Sequence, residues 1–172
     1  MENAQHDIRE EMTMATKPED AAYLAGILDT QARIEIRTKL VLTNPGRPYQ
    51  LGIRIRLYGM PANVISFIQE ASGHPGFCTS RSDGTHYWTF EGKGARAVVS
   101  LAMPYMRIQQ QRAGILLRFG ETLSGVGLSI KDPEWHERLI CFEEMTDLDE
   151  SRAELAEEIL MWGRRENFSD RA

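Results

Sequence analysis

Ala21–Arg33 reads AAYLAGILDTQAR, and how this stretch is read decides the fold. Ala21 and Ala25 lie four residues apart, as do Ala22 and Gly26, so a helix here has a surface nearly bare of side chain. Two helix backbones can approach closely across such a surface. Tyr23, Leu24, Ile27 and Leu28 flank it and can pack a core. Upstream, Thr16-Lys17-Pro18-Glu19 fits a capping box, with a hydroxyl, a proline in the first turn and a carboxylate three residues on. The helix is expected over residues 17–29, ending at Asp29-Thr30-Gln31-Ala32. A period of two starts at once after it.

Ile34, Ile36, Thr38, Leu40 and Leu42 alternate with Arg33, Glu35, Arg37, Lys39 and Val41, which predicts a strand with one apolar and one charged face. Asn44-Pro45-Gly46-Arg47-Pro48 is a turn cluster. A second strand follows, with Leu51, Ile53, Ile55 and Leu57 on one face and Gln50, Gly52, Arg54, Arg56 and Tyr58 on the other. Pro61–Ala71 is amphipathic, with Val64, Ile65, Phe67 and Ile68 inward. Phe77–Arg81 and Thr85–Phe90 form a predicted hairpin through Ser82-Asp83-Gly84. Trp88 and Phe90 face the core in this reading, which places Tyr87 and Thr89 opposite, with Thr79 and Arg81 outward. Helical period returns over Gly94–Met103, and after Pro104-Tyr105 again over Met106–Glu121, where Ile108, Ile115, Leu116 and Phe119 are the apolar positions. A link rich in glycine leads to two acidic helices, Trp135–Met145 and Ser151–Trp162. Trp135, Leu139, Phe142, Leu155, Ile159 and Trp162 are expected to pack there.

Leu24-Ala25-Gly26-Ile27-Leu28-Asp29 resembles the first six positions of the LAGLIDADG homing-endonuclease motif. Pro104-Tyr105-Met106-Arg107-Ile108-Gln109-Gln110-Gln111-Arg112-Ala113 is similar to the Pro-Tyr stretch of the same family. The resemblance spans roughly residues 20–121. It implies an α+β fold: an αββαββα half-unit with a four-stranded antiparallel sheet, here with extra helices at the C-terminal end. Residues 1–15 are expected to form a disordered acidic arm, 16–121 the DNA-binding domain and 122–172 an acidic helical extension. One motif helix per chain implies a homodimer, with Ala22, Ala25, Gly26 and Asp29 at the seam.

Charge is unevenly spread. Residues 1–21 carry a net −4, residues 22–131 a net +7 and residues 132–172 a net −8. A basic body between acidic ends points to a polyanionic partner. A sheet with one polar face can enter a DNA major groove. On the first two strands Arg33, Glu35, Arg37, Lys39, Gln50, Arg54, Arg56 and Tyr58 are the candidate DNA contacts; Thr79, Arg81 and Tyr87 join them from the hairpin. Arginine can bridge guanine O6 and N7, glutamine can bridge adenine, and glutamate can accept from cytosine N4.

Cutting DNA in this family needs a carboxylate at the eighth motif position, because a hard divalent cation wants charged oxygen ligands. That position is Gln31, and the ninth, usually glycine, is Ala32. Where the family commonly has an active-site lysine, the chain has Gln109. Asp29, at the sixth position, is expected to be structural, with metal binding in a rearranged site as the other role. The expected function is therefore sequence-specific binding of double-stranded DNA by a homodimer whose endonuclease activity is lost or weakened, as in a transcriptional regulator. The alternatives are an active metal-dependent homing endonuclease or nickase, and an intron maturase-like RNA binder. No cofactor is expected, save Mg²⁺ if cutting persists. No apolar run approaches membrane-span length, and Cys78 and Cys141 are isolated, so no membrane partner and a cytoplasmic, nucleoid-associated location are expected.

Overall fold

The computed structural model describes residues 16–40, 49–80, 82–124, 133–149 and 157–161. The expected N-terminal arm, the turn at 44–48, Arg81, Leu155 and Trp162 lie outside the described residues. Helix α1 spans Pro18–Gln31 and passes directly into strand β1, Ala32–Leu40. Strand β2 (Tyr49–Tyr58), helix α2 (Ala62–Ser72), strand β3 (Phe77–Ser80) and strand β4 (His86–Glu91) follow. Helices α3 (Lys93–Ala102), α4 (Gln110–Glu121) and α5 (Pro133–Asp147) complete the main elements, and residues 157–161 are helical.

The sheet is antiparallel throughout, in the order β1-β2-β4-β3. One face is apolar: Ile34 and Ile36 of β1, Leu51, Ile53, Ile55 and Leu57 of β2, and Phe90 of β4 are all buried. The helices cover that face. Leu24 and Leu28 of α1, Ile65 and Ile68 of α2, Val98 and Val99 of α3, and Leu116 and Phe119 of α4 close the core against it. Trp135, Leu139, Phe142 and Met145 of α5 join the same cluster, as does Ile159. The acidic helix α5 is thus packed onto the body, as its aromatic and leucine positions predict.

Four local expectations are corrected. The capping box does not form: Lys17 is the N-cap, extended at φ −61° and ψ 144°, and makes no side-chain cap bond. Pro18 at the first helical position disfavours helical backbone at the residue before it, so the helix starts one residue late. The Thr16 hydroxyl instead donates to the Ala71 carbonyl at 3.5 Å. The last core helix begins at Gln110 rather than Met106, after a single 3₁₀ turn at Met103–Tyr105. Ile108 therefore lies on a non-helical lead-in and is 73% exposed. Ala25 is turned into the core of its own subunit, 1% exposed, so it cannot form a seam with a second helix. The bare ridge is Ala22 and Gly26, both exposed.

Candidate nucleic-acid interface

The polar face of the sheet follows from register. Arg33 pairs with Arg56, Glu35 with Arg54, Arg37 with Gly52 and Lys39 with Gln50 across β1 and β2. From β2 to β4, Arg54 pairs with Glu91, Arg56 with Thr89 and Tyr58 with Tyr87; Thr79 of β3 pairs with Tyr87. Directly paired residues share a face, so all the described candidate contacts stand on one side, away from the helices. Lys39 and Gln50 are exposed, while Arg33, Arg37, Arg54, Tyr58, Thr79 and Tyr87 are partly so.

Glu35 departs from expectation. Its side chain is only 3% exposed, because three arginines close over it. Arg54 reaches Oε1 through Nε at 2.8 Å and Nη2 at 2.7 Å, and Arg56 Nη2 reaches the same oxygen at 2.7 Å. Arg33 Nε lies 3.3 Å from Oε2. A carboxylate engaged in this way has no route to a cytosine amino group, so Glu35 is not a base reader. Arg56 is also withdrawn: its side chain is 12% exposed and its guanidinium lies 5.9 Å and 6.0 Å from the Tyr58 and Tyr87 ring centres. Those two rings are themselves 5.6 Å apart. Arg56→Ala is accordingly expected to lower stability by about 2 kcal/mol through the lost ion pair and ring contacts, measured by denaturant melting. A variant as stable as the parent would mean that Arg56 is an ordinary surface cation.

The freer side chains lie further along the strands. Arg37 crosses over Gly52, whose missing side chain makes room: a Cβ there would sit 3.3 Å from Arg37 Nε. Arg37 Nη1 then reaches Glu91 Oε1 at 3.3 Å. On the described face, Arg33, Arg37, Lys39, Arg54 and Arg56 stand against Glu35, Glu91 and Asp149. Cations are in excess. Asp149 comes from the turn after α5 and pairs with Arg33 at 2.7 Å. Thr89 and Gly52 fall on the polar face by the period of two; Glu91 lies one residue beyond the expected strand, and nothing in local sequence points to Asp149.

At the base of α1 the three family positions behave differently. Gln31 is exposed on the last helical turn. Asp29 accepts hydrogen bonds from the backbone amides of Arg107, at 2.8 Å, and Gln109, at 2.9 Å. Burial alone would push its pKa up, but the amides of Gln109, Arg107 and Ile108 together hold it below the usual carboxylate value. Gln109 answers in the other direction. Its side-chain amide donates to the carbonyls of Leu28, at 2.6 Å, and Ala32, at 2.8 Å, capping the end of α1. The donor set therefore suits a structural clasp. To a hard divalent cation the described residues here offer Asp29, already engaged by two amides, beside the neutral Gln31.

Ala22 and Gly26 form an exposed ridge between two grooves. One is lined by Pro104, Tyr105, Met106 and Arg107, the other by Tyr23, Ile27, Met60 and Val64. A Cβ on Gly26 would meet nothing within 4 Å. The ridge leads straight into β1, so whatever occupies it lies beside the inner end of the polar face.

No protein-family model and no curated relative matches the chain. Solved structures do. The homing endonuclease I-CvuI, crystallised with its target in the presence of Ca²⁺, superposes with a TM-score of 0.62 at 20% identity, over 76% of this chain and 83% of that one. The homing endonuclease I-TnaI superposes at 0.62 and 14% identity, over 81% of this chain and 97% of its own. The meganuclease I-SmaMI, bound to uncleavable DNA, gives 0.58 at 11% identity over 73% of this chain but only 44% of its own. From helix ridge to sheet face, the chain has the LAGLIDADG homing-endonuclease fold.

Proposed function

We propose that this protein is a sequence-specific double-stranded DNA-binding protein that acts as a homodimer and whose endonuclease activity is lost or weakened. The observation that carries the proposal is the polar sheet face, which among the described residues bears an excess of cations and no helix, beside a small-residue ridge that none of them covers. From Arg33 to Lys39 is six residues of strand, or about 20 Å. That matches about six base pairs of B-DNA at roughly 3.4 Å each. Pairing two copies through Ala22 and Gly26 aligns two such faces on one duplex, and a two-fold dimer favours a pseudo-palindromic site. The share of each neighbour matched is consistent with this: the chain corresponds to nearly the whole of I-TnaI but to less than half of I-SmaMI. Loss or weakening of cutting rests on Gln31 in the place of the motif's second carboxylate and on Gln109 committed to the end of α1. Such a protein acts by occupying DNA, as a regulator in the nucleoid does.

The test is selection of bound duplexes from a random pool, followed by incubation of the selected site with Mg²⁺ or Mn²⁺. Enrichment of a pseudo-palindrome without strand breaks is the expected result. Strand breaks that vanish in Asp29→Asn would instead establish a working nuclease, and preference for structured RNA would favour a maturase-like role. Arg37→Ala is expected to weaken binding to the selected site by about 1–3 kcal/mol if the guanidinium meets a base edge. If it meets phosphate instead, the salt slope should shrink by about 0.9 with little change in preference. Titration at several salt concentrations separates the two, and no change in either quantity removes Arg37 from the interface.

A further inference from the structure

Phosphate attraction alone needs no buried carboxylate beneath the cations, yet the inner half of the polar face has one. Arg33 opposes Arg56 and Glu35 opposes Arg54 across β1 and β2, so the four side chains form a two-by-two block. Arg54 turns its Nε and Nη2 to Glu35 Oε1, and Arg33 turns its Nε to Oε2. Arg56 lies beneath, against Glu35 and the two tyrosine rings. Arg33 and Arg54 are left with a part of each guanidinium facing outward. Glu35 sets the plane of Arg54. Glu35 together with Asp149, which holds Arg33 Nη2 at 2.7 Å, sets that of Arg33.

We infer that Glu35 is a positioning residue for base recognition: it fixes the plane of Arg54, shares with Asp149 the orientation of Arg33, and offsets part of their charge, so that both meet base edges rather than the nearest phosphates. The inference rests on the DNA-binding reading above. Phosphate draws an unrestrained cation regardless of sequence. A bidentate contact to guanine depends on the angle of the guanidinium plane, and a supporting shell that locks the plane makes the contact selective. A buried ion pair is a poor source of stability compared with well-packed apolar side chains, which leaves orientation as the benefit of placing a carboxylate here.

The experiment compares the selected duplex with a scrambled duplex of equal length over a range of salt concentrations. Glu35→Gln keeps the shape and removes the negative charge. It is expected to bind the scrambled duplex several-fold more tightly with a steeper salt slope, while the ratio of selected to scrambled affinity falls by about ten-fold or more. An unchanged ratio in a folded variant overturns the inference. Should Glu35→Gln not fold, Arg33→Met decides, because Arg54 and Arg56 remain on the carboxylate. The selected duplex is then expected to lose about ten-fold and the scrambled one only a few-fold. Equal losses on both duplexes make Arg33 a phosphate contact and overturn the inference. A parent protein that retains no duplex at all sinks the DNA-binding reading and this inference with it. Parental preference for one duplex, unaltered in both variants, sinks only the role of Glu35.

Discussion

On the proposed homodimer, Gly26→Leu is expected to abolish association while leaving the isolated subunit more stable than an isolated parent subunit. The two effects have separate causes. Within one subunit a Cβ at position 26 has open space around it. Leucine there also replaces the poorest helix former short of proline in the middle of a 14-residue helix. That exchange stabilises an exposed helix by about 1 kcal/mol, or about 2–4 °C for a protein of this size. Across a two-fold seam the same side chain is inserted twice between backbones that only Ala22 and Gly26 allow to approach. Overpacking costs about 1–3 kcal/mol per copy, so the dimer should weaken by a factor of about 30 to 10⁴. Sedimentation gives the first effect, and thermal melting at a dilution where the parent too is monomeric gives the second, because association itself stabilises the parent. Affinity for a palindromic duplex should fall with the dimer. Ala25→Leu is the control, since Ala25 lies in the core and its enlargement should lower the melting temperature. A Gly26→Leu variant that sediments like the parent would place the subunit contact elsewhere.

That contrast also shows where sequence reading stops. Both small pairs in Ala21–Gly26 have the same spacing, and only packing against Leu24, Leu28 and the neighbouring helices decides which pair is buried. The strands were legible for the opposite reason. Ile34 and Ile36, and Ile53 and Ile55, repeat with a period of two, and a slip of one residue would put each apolar set into water. Burial of Glu35 was not legible, because its alternation marks it as outward and only the partners on the next strand, Arg54 and Arg56, take it out of solvent. The lead-in to α4 failed for a related reason. Residues 106–109 have helical composition, yet Asp29, some eighty positions earlier, holds the backbone amides of Arg107 and Gln109 in a non-helical lead-in, and the helix begins only at Gln110. The amide-for-charge exchanges at Gln31 and Gln109 could be seen in the sequence, whereas the use made of Gln109 could not.

The clasp between Asp29 and the lead-in to α4 yields the second large effect. Asp29→Ala removes two charge-assisted bonds, each worth about 1.5 kcal/mol or more, so a loss of about 3 kcal/mol is expected in denaturant melting. Gln109→Ala frees the carbonyls of Leu28 and Ala32 at the end of α1 and is expected to cost about 1–2 kcal/mol. The double variant should lose less than the sum, because both side chains tie down one junction. The acid limb of stability carries a sign as well. The folded pKa of Asp29 is depressed below the unfolded value, so its contribution is complete above about pH 4 and is lost as pH falls through the folded pKa. Asp29→Asn should therefore be less stable than the parent at neutral pH and should show a shallower fall on acidification. A metal ligand behaves differently: its neutral variant loses stabilisation by Mg²⁺, and the parent melts higher with Mg²⁺ than with a chelator. A parent whose melting ignores both additions, with Asp29→Asn destabilised equally in each, places Asp29 in the scaffold. A chelator-sensitive parent would return it to a metal centre and reopen the question of cutting.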